Sequence, residues 1–349
     1  MTHTIIKLGK RAIKSSAAPL SRLYSSLRRP FNSERGDAGK VVIFGYHRIA
    51  ANIAPAEREA IEGLVTSAET FRRHVELILG RYDVLSLDKA AAVLRGEPAR
   101  RAVAALTFDD GYRDVYEQAF PVLRKFGLPA TVFVVTGRIG ASQALDHDRL
   151  YWFVRRAQAR GLSLHVPLIK AGLSHDQAAL CCAEVDPTRL CNRLVHLPLT
   201  LRESVVSCLE EFLGGGEEPP SDYSALDWEM MREMGNAGVS FGAHTDNHAV
   251  LTLEKEATIE REIRRSKQLL EEHLGRPVRH FAYPNGQYNT AIRKAVAREG
   301  FEVAVTTERR VNQRGDHPLA LGRVCLCEES TRGITGRYSE SVARLRLMA

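Results

Sequence analysis

The sequence predicts an α/β fold in which parallel strands and surrounding helices form a barrel interrupted by an insertion. From about residue 40 onwards, short β-branched or apolar runs alternate with helical patterns, as in strand–helix units that build a parallel sheet. The alternation stops between about residues 140 and 225, where helical stretches and four of the six cysteines lie. The length of 349 residues fits one large barrel with an insertion, because such barrels span about 200 to 400 residues.

The first half of the predicted barrel contains three strands and two helices. Strands are expected at residues 41–45, 102–108 and 130–135, because each run is short, apolar and rich in β-branched or aromatic side chains. Ser67 is expected to cap an amphipathic helix, since a serine hydroxyl can accept a hydrogen bond from the first helical turn. A second helix is predicted at residues 115–126.

The second half resumes the alternation after the insertion and completes one domain, residues 40–330. One of its helices is expected to end at Gly275, because glycine is typical of the position just beyond a helix. Helices are expected at residues 228–236, 259–274 and 288–298, and strands at residues 239–243, 278–283 and 301–306. Residues 1–39 are predicted to form a basic arm, and residues 331–349 a C-terminal tail.

The net charge of +7 is concentrated in the N-terminal arm. Before Lys40 there are eight lysines and arginines against only Glu34 and Asp37, so the rest of the chain is close to neutral. This distribution argues against a nucleic-acid-binding protein. Apolar residues among the basic ones allow two interpretations of the arm: an amphipathic segment that rests on a membrane surface, or a solvated tail.

Cysteine spacing and hydropathy predict a cytoplasmic protein. The six cysteines form no CxxC pair and are too sparse for a disulfide scaffold, which favours a reduced compartment. Basic residues between positions 7 and 14 interrupt the apolar stretch that a secretory signal needs, and no later segment has the roughly 20 apolar residues of a membrane span. Cys325 and Cys327 alternate along a predicted strand and are expected to fill the core rather than bind metal.

Two adjacent aspartates follow the strand predicted at residues 102–108. Asp109 and Asp110 are therefore expected at the carboxyl end of a barrel strand, where the active sites of α/β barrels are built. Gly111 then lets the backbone turn sharply and approach a ligand closely. Taken alone, Asp-Asp-Gly is also typical of ordinary turns.

Two histidines, His244 and His248, follow the strand predicted at residues 239–243. A spacing of four can place both imidazoles on one side of a helical turn, as a pair of metal ligands requires. Such a pair alone is more often a surface feature, but the aspartates after another strand favour metal ligands. One carboxylate and two imidazoles leave positions for water and substrate, which suits Zn²⁺, Fe²⁺ or Co²⁺.

Together these motifs resemble those of the NodB-homology polysaccharide deacetylases, carbohydrate esterase family 4. Thr-Phe-Asp-Asp-Gly occupies residues 107–111, His-Thr-x-x-His residues 244–248, and Phe-Ala-Tyr-Pro-Asn-Gly residues 281–286. Tyr46-His47, and Leu-Asp-Trp at 226–228, resemble the branch that includes exopolysaccharide deacetylases. The resemblance implies a distorted, incomplete (β/α) barrel, a metal-dependent hydrolase, and an acetylated amino-sugar polysaccharide as substrate. A membrane-resting N-terminal arm would suit a lipid-linked precursor of such a polysaccharide.

The resemblance also implies roles for individual residues. Asp109 is the general base for a water molecule activated by the metal, for which Zn²⁺ is the first choice and Co²⁺ or Fe²⁺ the alternatives. Asp110, His244 and His248 hold the metal, and the backbone N–H of Tyr112 stabilises the oxyanion. Residues of the third motif and its following loop are expected either to shape the substrate groove or to pack beneath it: Tyr283, Pro284, Asn285 and Tyr288.

Two positions depart from the usual pattern of this family. Ala282 occupies the place of an arginine that orients the base, and Arg323, at the end of a late strand, is the substitute we expect. The usual C-terminal motif with the acid histidine is not evident. His47 is therefore expected to donate the proton to the leaving amine, as in relatives with a permuted motif order, and His317 is the alternative donor.

Two further functions are compatible with the sequence. The same site could hydrolyse an O-acetyl ester or a non-sugar amide, because a scaffold does not fix the acyl acceptor. A protein that has lost activity and only binds carbohydrate is the other alternative. The presence of Asp109 together with a full set of metal ligands argues against this last reading, and hydrolysis of N-acetyl groups is the main hypothesis.

Overall fold

Parallel strands form a central eight-stranded sheet in the described part of the chain, which comprises residues 39–53, 60–215 and 223–347 of the computed structural model. Within these residues the strands are β1 (Val41–Tyr46), β2 (Arg48–Ala50), β3 (Val65–Ser67), β4 (Asp83–Val84), β5 (Val103–Phe108), β6 (Ala130–Val134), β7 (Val239–Ala243), β8 (His280–Ala282), β9 (Val303–Val305) and β10 (Val324–Cys325). The central sheet has the order β10-β1-β5-β6-β7-β8-β9, while β4 pairs with the start of β5 and β2 pairs only with β3 among the described strands.

The central sheet curls because one short segment connects its two ends. Leu321 pairs with Val305 of β9, and a few residues later Val324 pairs with Phe44 of β1. The strands in this sheet are parallel, so their carboxyl ends point to one rim of the curl. The predicted fold class, an incomplete (β/α) barrel with a helical insertion, is confirmed.

Helices surround the sheet, and two of the expected helix ends, a start at Ser67 and a stop at Gly275, are present. The Ser67 hydroxyl accepts a hydrogen bond from Thr70 N at 3.1 Å, and Gly275, in the left-handed region with φ 63°, follows the last residue of α10. In the described part of the chain, the helices are α1 (Ala68–Arg81), α2 (Leu87–Arg95), α3 (Phe120–Phe126), α4 (Asp146–Ala159), α5 (His165–Lys170), α6 (His175–Cys182), α7 (Pro187–Val195), α8 (Leu199–Phe212), α9 (Trp228–Asn236), α10 (Glu256–Leu274), α11 (Thr290–Arg298) and α12 (Glu340–Leu347).

The insertion consists of helices α4 to α8 and has an apolar core of its own. Leu150, Phe153, Leu168 and Leu194 are fully or almost fully buried in this core, separately from the residues that pack on the sheet. The insertion therefore adds a helical body to the barrel and does not extend the sheet.

Three segments differ from what the sequence predicts. The first turn of the helix expected at residues 115–126 is a wider π-type turn, Val115–Ala119, because Pro121 has no backbone N–H to continue the regular bonding. The strand expected at residues 278–283 is shorter, since Val278 N donates to Glu271 Oε1 at 2.9 Å instead of joining the sheet. Cys325 is exposed and Cys327 partly exposed, so neither fills the core as expected.

The two ends of the chain compare differently with the predictions. Apart from Gly39, the N-terminal arm of residues 1–39 lies outside the described residues, so its contact with a membrane stays a prediction. The C-terminal tail includes α12, which buries Ala343 and Leu347, and the Tyr82 hydroxyl donates to the Leu347 carbonyl at 2.6 Å. Among the described helices, none has both the length and the apolar character needed to cross a lipid bilayer.

Gly242 in β7 is expected to tolerate no side chain. A Cβ atom at this position would lie 2.7 Å from the Phe133 ring and 2.8 Å from the His280 carbonyl oxygen. We expect Gly242→Ala to lower the free energy of unfolding by about 1–3 kcal/mol, because an overpacked core forces its neighbours to shift. Urea denaturation measures this change.

Gly80→Ala is the matched control for this substitution. Gly80 lies within α1 and its Cβ would meet nothing within 4 Å. Alanine is expected to stabilise that helix by about 0.5–1 kcal/mol. A Gly242→Ala protein as stable as the wild type would show that β7 and β8 are packed less tightly than described.

Candidate active site

The residues singled out in the sequence meet at the rim formed by the carboxyl ends of the parallel strands. Asp109 and Asp110 follow β5, His244 follows β7, and His47 follows β1. Arg323 directly precedes β10, which pairs with β1, and so lies before a strand and not at the end of one as expected. Because β1 lies between β10 and β5, residues from both ends of the sequence lie beside the aspartates.

Asp110, His244 and His248 form a buried cluster with the spacing of a metal site. Asp110 Oδ1 lies 3.6 Å from His244 Nε2 and 3.5 Å from His248 Nε2, and one ligand atom from each residue falls within 4.8 Å of the others. Asp110 Oδ1 is buried and has no hydrogen-bond partner in the described structure. A buried carboxylate oxygen without a donor is costly, so this donor set fits a divalent cation.

The electrostatics of the cluster also fit a cation. Burial, followed by the charges of Asp109 and Asp148, raises the pKa of Asp110 well above its usual range. Burial lowers the pKa of His244, and burial together with His244 lowers the pKa of His248 further. Both imidazoles are therefore neutral at neutral pH, which is the form that binds metal, and a bound cation would compensate the charge of Asp110.

The Ala282 carbonyl fixes the tautomer of His244. His244 Nδ1 lies 2.8 Å from Ala282 O, and because a carbonyl can only accept, Nδ1 carries the proton. The lone pair of Nε2 is therefore directed into the cluster. This arrangement, a ring N–H donated to a backbone carbonyl, is typical of histidines that bind metal through the other nitrogen.

The loop that carries the two histidines is not helical, so the expected helical turn is wrong. Thr245 and His248 both lie in the left-handed region, with φ 63° and 53°. The loop is bent because Thr245 Oγ1 accepts from Ala249 N at 3.1 Å and Asp246 O accepts from Gly137 N at 2.8 Å. The two imidazoles converge through this bend, and their ring centroids lie 4.9 Å apart.

A sharp turn after β5 directs the two aspartates to different partners. Asp110 and Gly111 both have positive φ, 69° and 75°, and a Cβ on Gly111 would lie 2.8 Å from a methyl group of Val134. Glycine is therefore required at position 111 by both conformation and space. The turn points Asp110 towards the histidines and leaves Asp109 beside Arg323.

Arg323 forms a buried, two-pronged ion pair with Asp109. Its Nη1 donates to Asp109 Oδ1 at 2.7 Å and its Nη2 to Oδ2 at 2.6 Å, while its Nε donates to Thr306 O at 2.8 Å. Burial alone would raise the pKa of Asp109, but Arg323 holds it well below its usual range. Asp109 is thus ionised at neutral pH, and Arg323 is the arginine that contacts it.

Of the two candidate proton donors, His47 is the one beside Asp109. His47 Nε2 lies 3.8 Å from Asp109 Oδ2, and burial lowers the pKa of His47 to about 4 against the attraction of Asp109. His317 is exposed, and its Nδ1 accepts a hydrogen bond from Leu319 N. Among the described contacts, no hydrogen bond or ion pair joins His317 to the aspartates.

Tyr112 presents its backbone to the turn and its side chain to the insertion. Tyr112 forms an isolated antiparallel bridge with Ala225. The two hydrogen bonds of this bridge are donated by Arg113 N and Leu226 N, so the bridge does not use the Tyr112 amide. The buried Tyr112 hydroxyl donates to Asp148 Oδ2 at 2.7 Å and lies 2.8 Å from His147 Nε2.

Two of the four residues expected to shape or underlie a substrate groove are buried. Tyr283 is fully buried, donates its hydroxyl to Leu319 O at 2.9 Å and stacks on Tyr288 at a centroid distance of 4.9 Å. Pro284 is also buried, whereas Asn285 and Tyr288 are partly exposed. Tyr283 and Pro284 therefore support the loop from below, and only Asn285 and Tyr288 present surface to a ligand.

Sequence reasoning missed two residues of the insertion that lie at the site. His147 Nε2 lies 3.9 Å from Asp110 Oδ2, and its ring centroid is 5.1 Å from that of His248. Asp148 is buried and accepts from Tyr112. The signal was the polar run Asp146-His147-Asp148 directly before an apolar helix, where three titratable residues are unusual without a partner.

Comparisons with known proteins agree with this geometry. The family model described as polysaccharide deacetylase matches residues 96–182 and 198–304. The Bacillus subtilis protein YxkH, whose name assigns it to the polysaccharide deacetylases, is 22% identical over 306 residues, which cover 87% of this chain and 77% of YxkH. A Staphylococcus epidermidis poly-β-1,6-N-acetyl-D-glucosamine N-deacetylase is 26% identical over 141 residues, 37% of this chain and 48% of that protein.

Solved structures of other proteins share the fold. IcaB from Ammonifex degensii superimposes with a TM-score of 0.56 at 19% identity, covering 89% of this chain and 97% of IcaB. The deacetylase PplD of Streptococcus pyogenes gives a TM-score of 0.54 at 22% identity, covering 82% of this chain and 92% of PplD. At these identities the likeness establishes the fold, an incomplete barrel of parallel strands.

Arg323→Met is expected to change how stability depends on pH. In the wild type the depressed pKa of Asp109 contributes stability above the unfolded pKa of about 4, and this contribution is lost as pH falls through the folded value. In the variant, burial raises the pKa of Asp109, so its ionised form destabilises the fold at neutral pH. The loss of unfolding free energy should be about 3–5 kcal/mol near neutral pH and should shrink on acidification.

Urea denaturation of metal-free protein between about pH 7 and pH 4 measures this difference. Arg323→Lys is the matched control, because it keeps the charge but loses the two-pronged geometry. A stability difference between wild type and Arg323→Met that is the same at all pH values would contradict the described electrostatics.

Proposed function

This chain belongs to the polysaccharide deacetylase family, and from this premise we propose that it removes N-acetyl groups from an amino-sugar polysaccharide or its lipid-linked precursor in a metal-dependent reaction. The observation that carries the proposal is the orphaned Asp110 Oδ1 between His244 and His248, directly beside the ionised Asp109. The N-acetylglucosamine polymer in the name of the Staphylococcus epidermidis relative supports an amino-sugar substrate.

Asp110, His244 and His248 would hold the metal. Two imidazole nitrogens and one carboxylate oxygen are a donor set that suits Zn²⁺ first, with Co²⁺ or Fe²⁺ as alternatives. A divalent cation in such a site makes water more acidic and polarises a carbonyl oxygen. The burial of the three residues keeps bulk water from competing for their lone pairs.

Asp109 would act as the general base. Its carboxylate is ionised at neutral pH because Arg323 stabilises the charge, so it can accept a proton from the attacking water. The same stabilisation makes it a weak base, and the proton should therefore move on quickly. The backbone N–H of Tyr112, directly after the turn, would stabilise the oxyanion that develops on the acetyl carbonyl.

His47 would pass the proton to the leaving amine. With a pKa of about 4 it is neutral in the resting protein, so it must gain a proton before it can donate one. Asp109 Oδ2, 3.8 Å from His47 Nε2, is a nearby source once Asp109 has taken the proton from water. Asn285 and Tyr288, which are partly exposed, would contact the sugar chain.

Asp109→Asn is expected to keep the metal and lose turnover. Removing the base should lower acetate release from acetylated chito-oligosaccharides by about 10²–10⁴-fold, the usual contribution of a positioned base. His244→Ala should instead lower the metal content of dialysed protein. Acetate release and metal analysis measure both effects, and circular dichroism checks folding.

Three outcomes would contradict the proposal. Full activity in Asp109→Asn would show that the base is assigned wrongly. Acetate release from acetylated xylan but not from chito-oligosaccharides would indicate an O-acetyl esterase. Binding of chito-oligosaccharides without any acetate release by the metal-loaded wild type would indicate a protein that only binds carbohydrate.

His47→Gln is expected to lower kcat by about 10²–10⁴-fold with unchanged metal content, because the leaving amine loses its proton donor. His317→Gln is the matched control and should retain wild-type kcat, since His317 is exposed and makes no described ion pair with Asp109. Steady-state kinetics of the two variants decide the point. If the His317 variant is impaired and the His47 variant is not, the two histidines have been assigned in the wrong order.

A further inference from the structure

We infer that Arg202, which lies on helix α8 of the insertion, is a positioning residue for the metal-binding loop at residues 244–248. The insertion would then help to position the active site, although it contains no motif of the family. This inference rests on the proposed role of His248 as a metal ligand.

Arg202 connects the insertion directly to the backbone of the loop. It is only 1% exposed, its Nη1 donates to His248 O at 3.1 Å, and its Nη2 donates to Asn247 O at 2.7 Å. Its Nε donates to Asp146 Oδ2 at 3.3 Å, at the start of α4. The planar guanidinium thus donates hydrogen bonds to two loop carbonyls and one carboxylate of the insertion.

The loop needs such support because its conformation is strained. Thr245 and His248 are non-glycine residues in the left-handed region, a conformation that persists only when the surroundings hold it. Glu262 holds Asn247 through the backbone N at 2.8 Å and through Nδ2 at 2.9 Å. Arg202 holds the carbonyls of Asn247 and His248, the part of the loop that carries the second ligand.

The imidazole of His248 depends on its backbone more than that of His244 does. His244 is oriented by the hydrogen bond from its Nδ1 to Ala282 O. In the described structure no hydrogen bond orients the His248 ring. The direction of His248 Nε2 is therefore set by the backbone to which Arg202 is bonded and by packing against neighbouring rings.

Packing alone does not explain an arginine at this position. Desolvating a guanidinium costs free energy, and apolar side chains of similar volume often replace buried ion pairs without loss of stability. The carboxylate of Asp146 is also shared, since Arg138 Nη2 donates to its other oxygen at 2.6 Å. What an apolar residue could not replace is the pair of hydrogen bonds to the loop carbonyls.

The same end of the insertion reaches the cluster at a second point. His147 follows Asp146 at the start of α4, and its Nε2 lies 3.9 Å from Asp110 Oδ2. A shift of α4 relative to the loop would therefore displace Arg202's partner and the surroundings of Asp110 together.

Zinc affinity of the full-length protein, measured by competition with a chromophoric chelator, tests the inference without relying on activity. Arg202→Met should weaken zinc binding by about 10–100-fold, the usual effect of losing a residue that supports a metal ligand. Arg202→Lys should lose less, because an ammonium group can still donate to one carbonyl. In Arg202→Ala, added guanidinium ion should restore part of the affinity.

Arg149→Met is the matched control. Arg149 is a largely buried arginine of α4 whose Nη2 donates to Glu210 Oε2 of α8 at 2.7 Å, so its loss weakens the same helix pair without touching the loop. This variant should bind zinc like the wild type. Equal weakening in the Arg149 and Arg202 variants would overturn the inference, because the effect would then come from the packing of the insertion.

The remaining outcomes separate this inference from the proposed function. If His248→Ala binds zinc as tightly as the wild type, the proposed ligand set has failed. If His248→Ala weakens binding but Arg202→Met does not, the ligand set stands and the positioning role is overturned. Should Arg202→Met fail to fold, the other two variants decide. Wild-type zinc affinity in Arg202→Lys, together with no rescue of Arg202→Ala by guanidinium ion, would also overturn the inference.

Discussion

The buried ion pair between Arg323 and Asp109 allows two adjacent carboxylates to lie in one buried site. The two residues lie 214 positions apart in the chain, yet Arg323 makes two hydrogen bonds to Asp109 and is itself fully buried. Asp109 and Asp110 could not both be ionised there without compensation, because like charges at short distance raise each other's pKa. Arg323 compensates Asp109, so Asp110 is the carboxylate whose charge a bound cation would compensate.

The curl of the sheet makes this pair possible. β1 lies between β5, which directly precedes the aspartates, and β10, which follows Arg323. Parallel pairing then brings the ends of the first, middle and last strands to one rim. The same constraint places His47 beside Asp109 and the His244 loop beside Asp110, so the positions of all these side chains depend on the register of a few central strands.

Local patterns in the sequence were sufficient for the parts of the site that lie next to strands. Asp109, Asp110, His244 and His248 each follow a recognisable strand, and the fold class follows from the alternation of strands and helices. The bent conformation of the histidine loop was not predictable, because it depends on Thr245 and Gly137 hydrogen bonds that only the folded chain brings together. The burial of Tyr283 likewise depends on packing against distant residues.

The insertion shows this limit most clearly. Nothing in its composition indicates that Arg202 reaches the carbonyls of residues 247 and 248, since that contact joins one helix to a loop 45 and 46 positions away. Charged residues in an insertion are usually solvent-exposed, and only its burial in the folded structure marks Arg202 as an exception. Long-range contacts of this kind leave no periodic signal in one sequence.

A crystal structure of the zinc-loaded protein, with anomalous data collected at the zinc edge, tests the central claim most directly. We expect one buried zinc within about 2.0–2.2 Å of His244 Nε2, His248 Nε2 and a carboxylate oxygen of Asp110. Asp109 should remain paired with Arg323 and outside the ligand shell. A zinc ion bound by Asp109, or an anomalous peak only at other residues, would contradict the division of roles between the two aspartates.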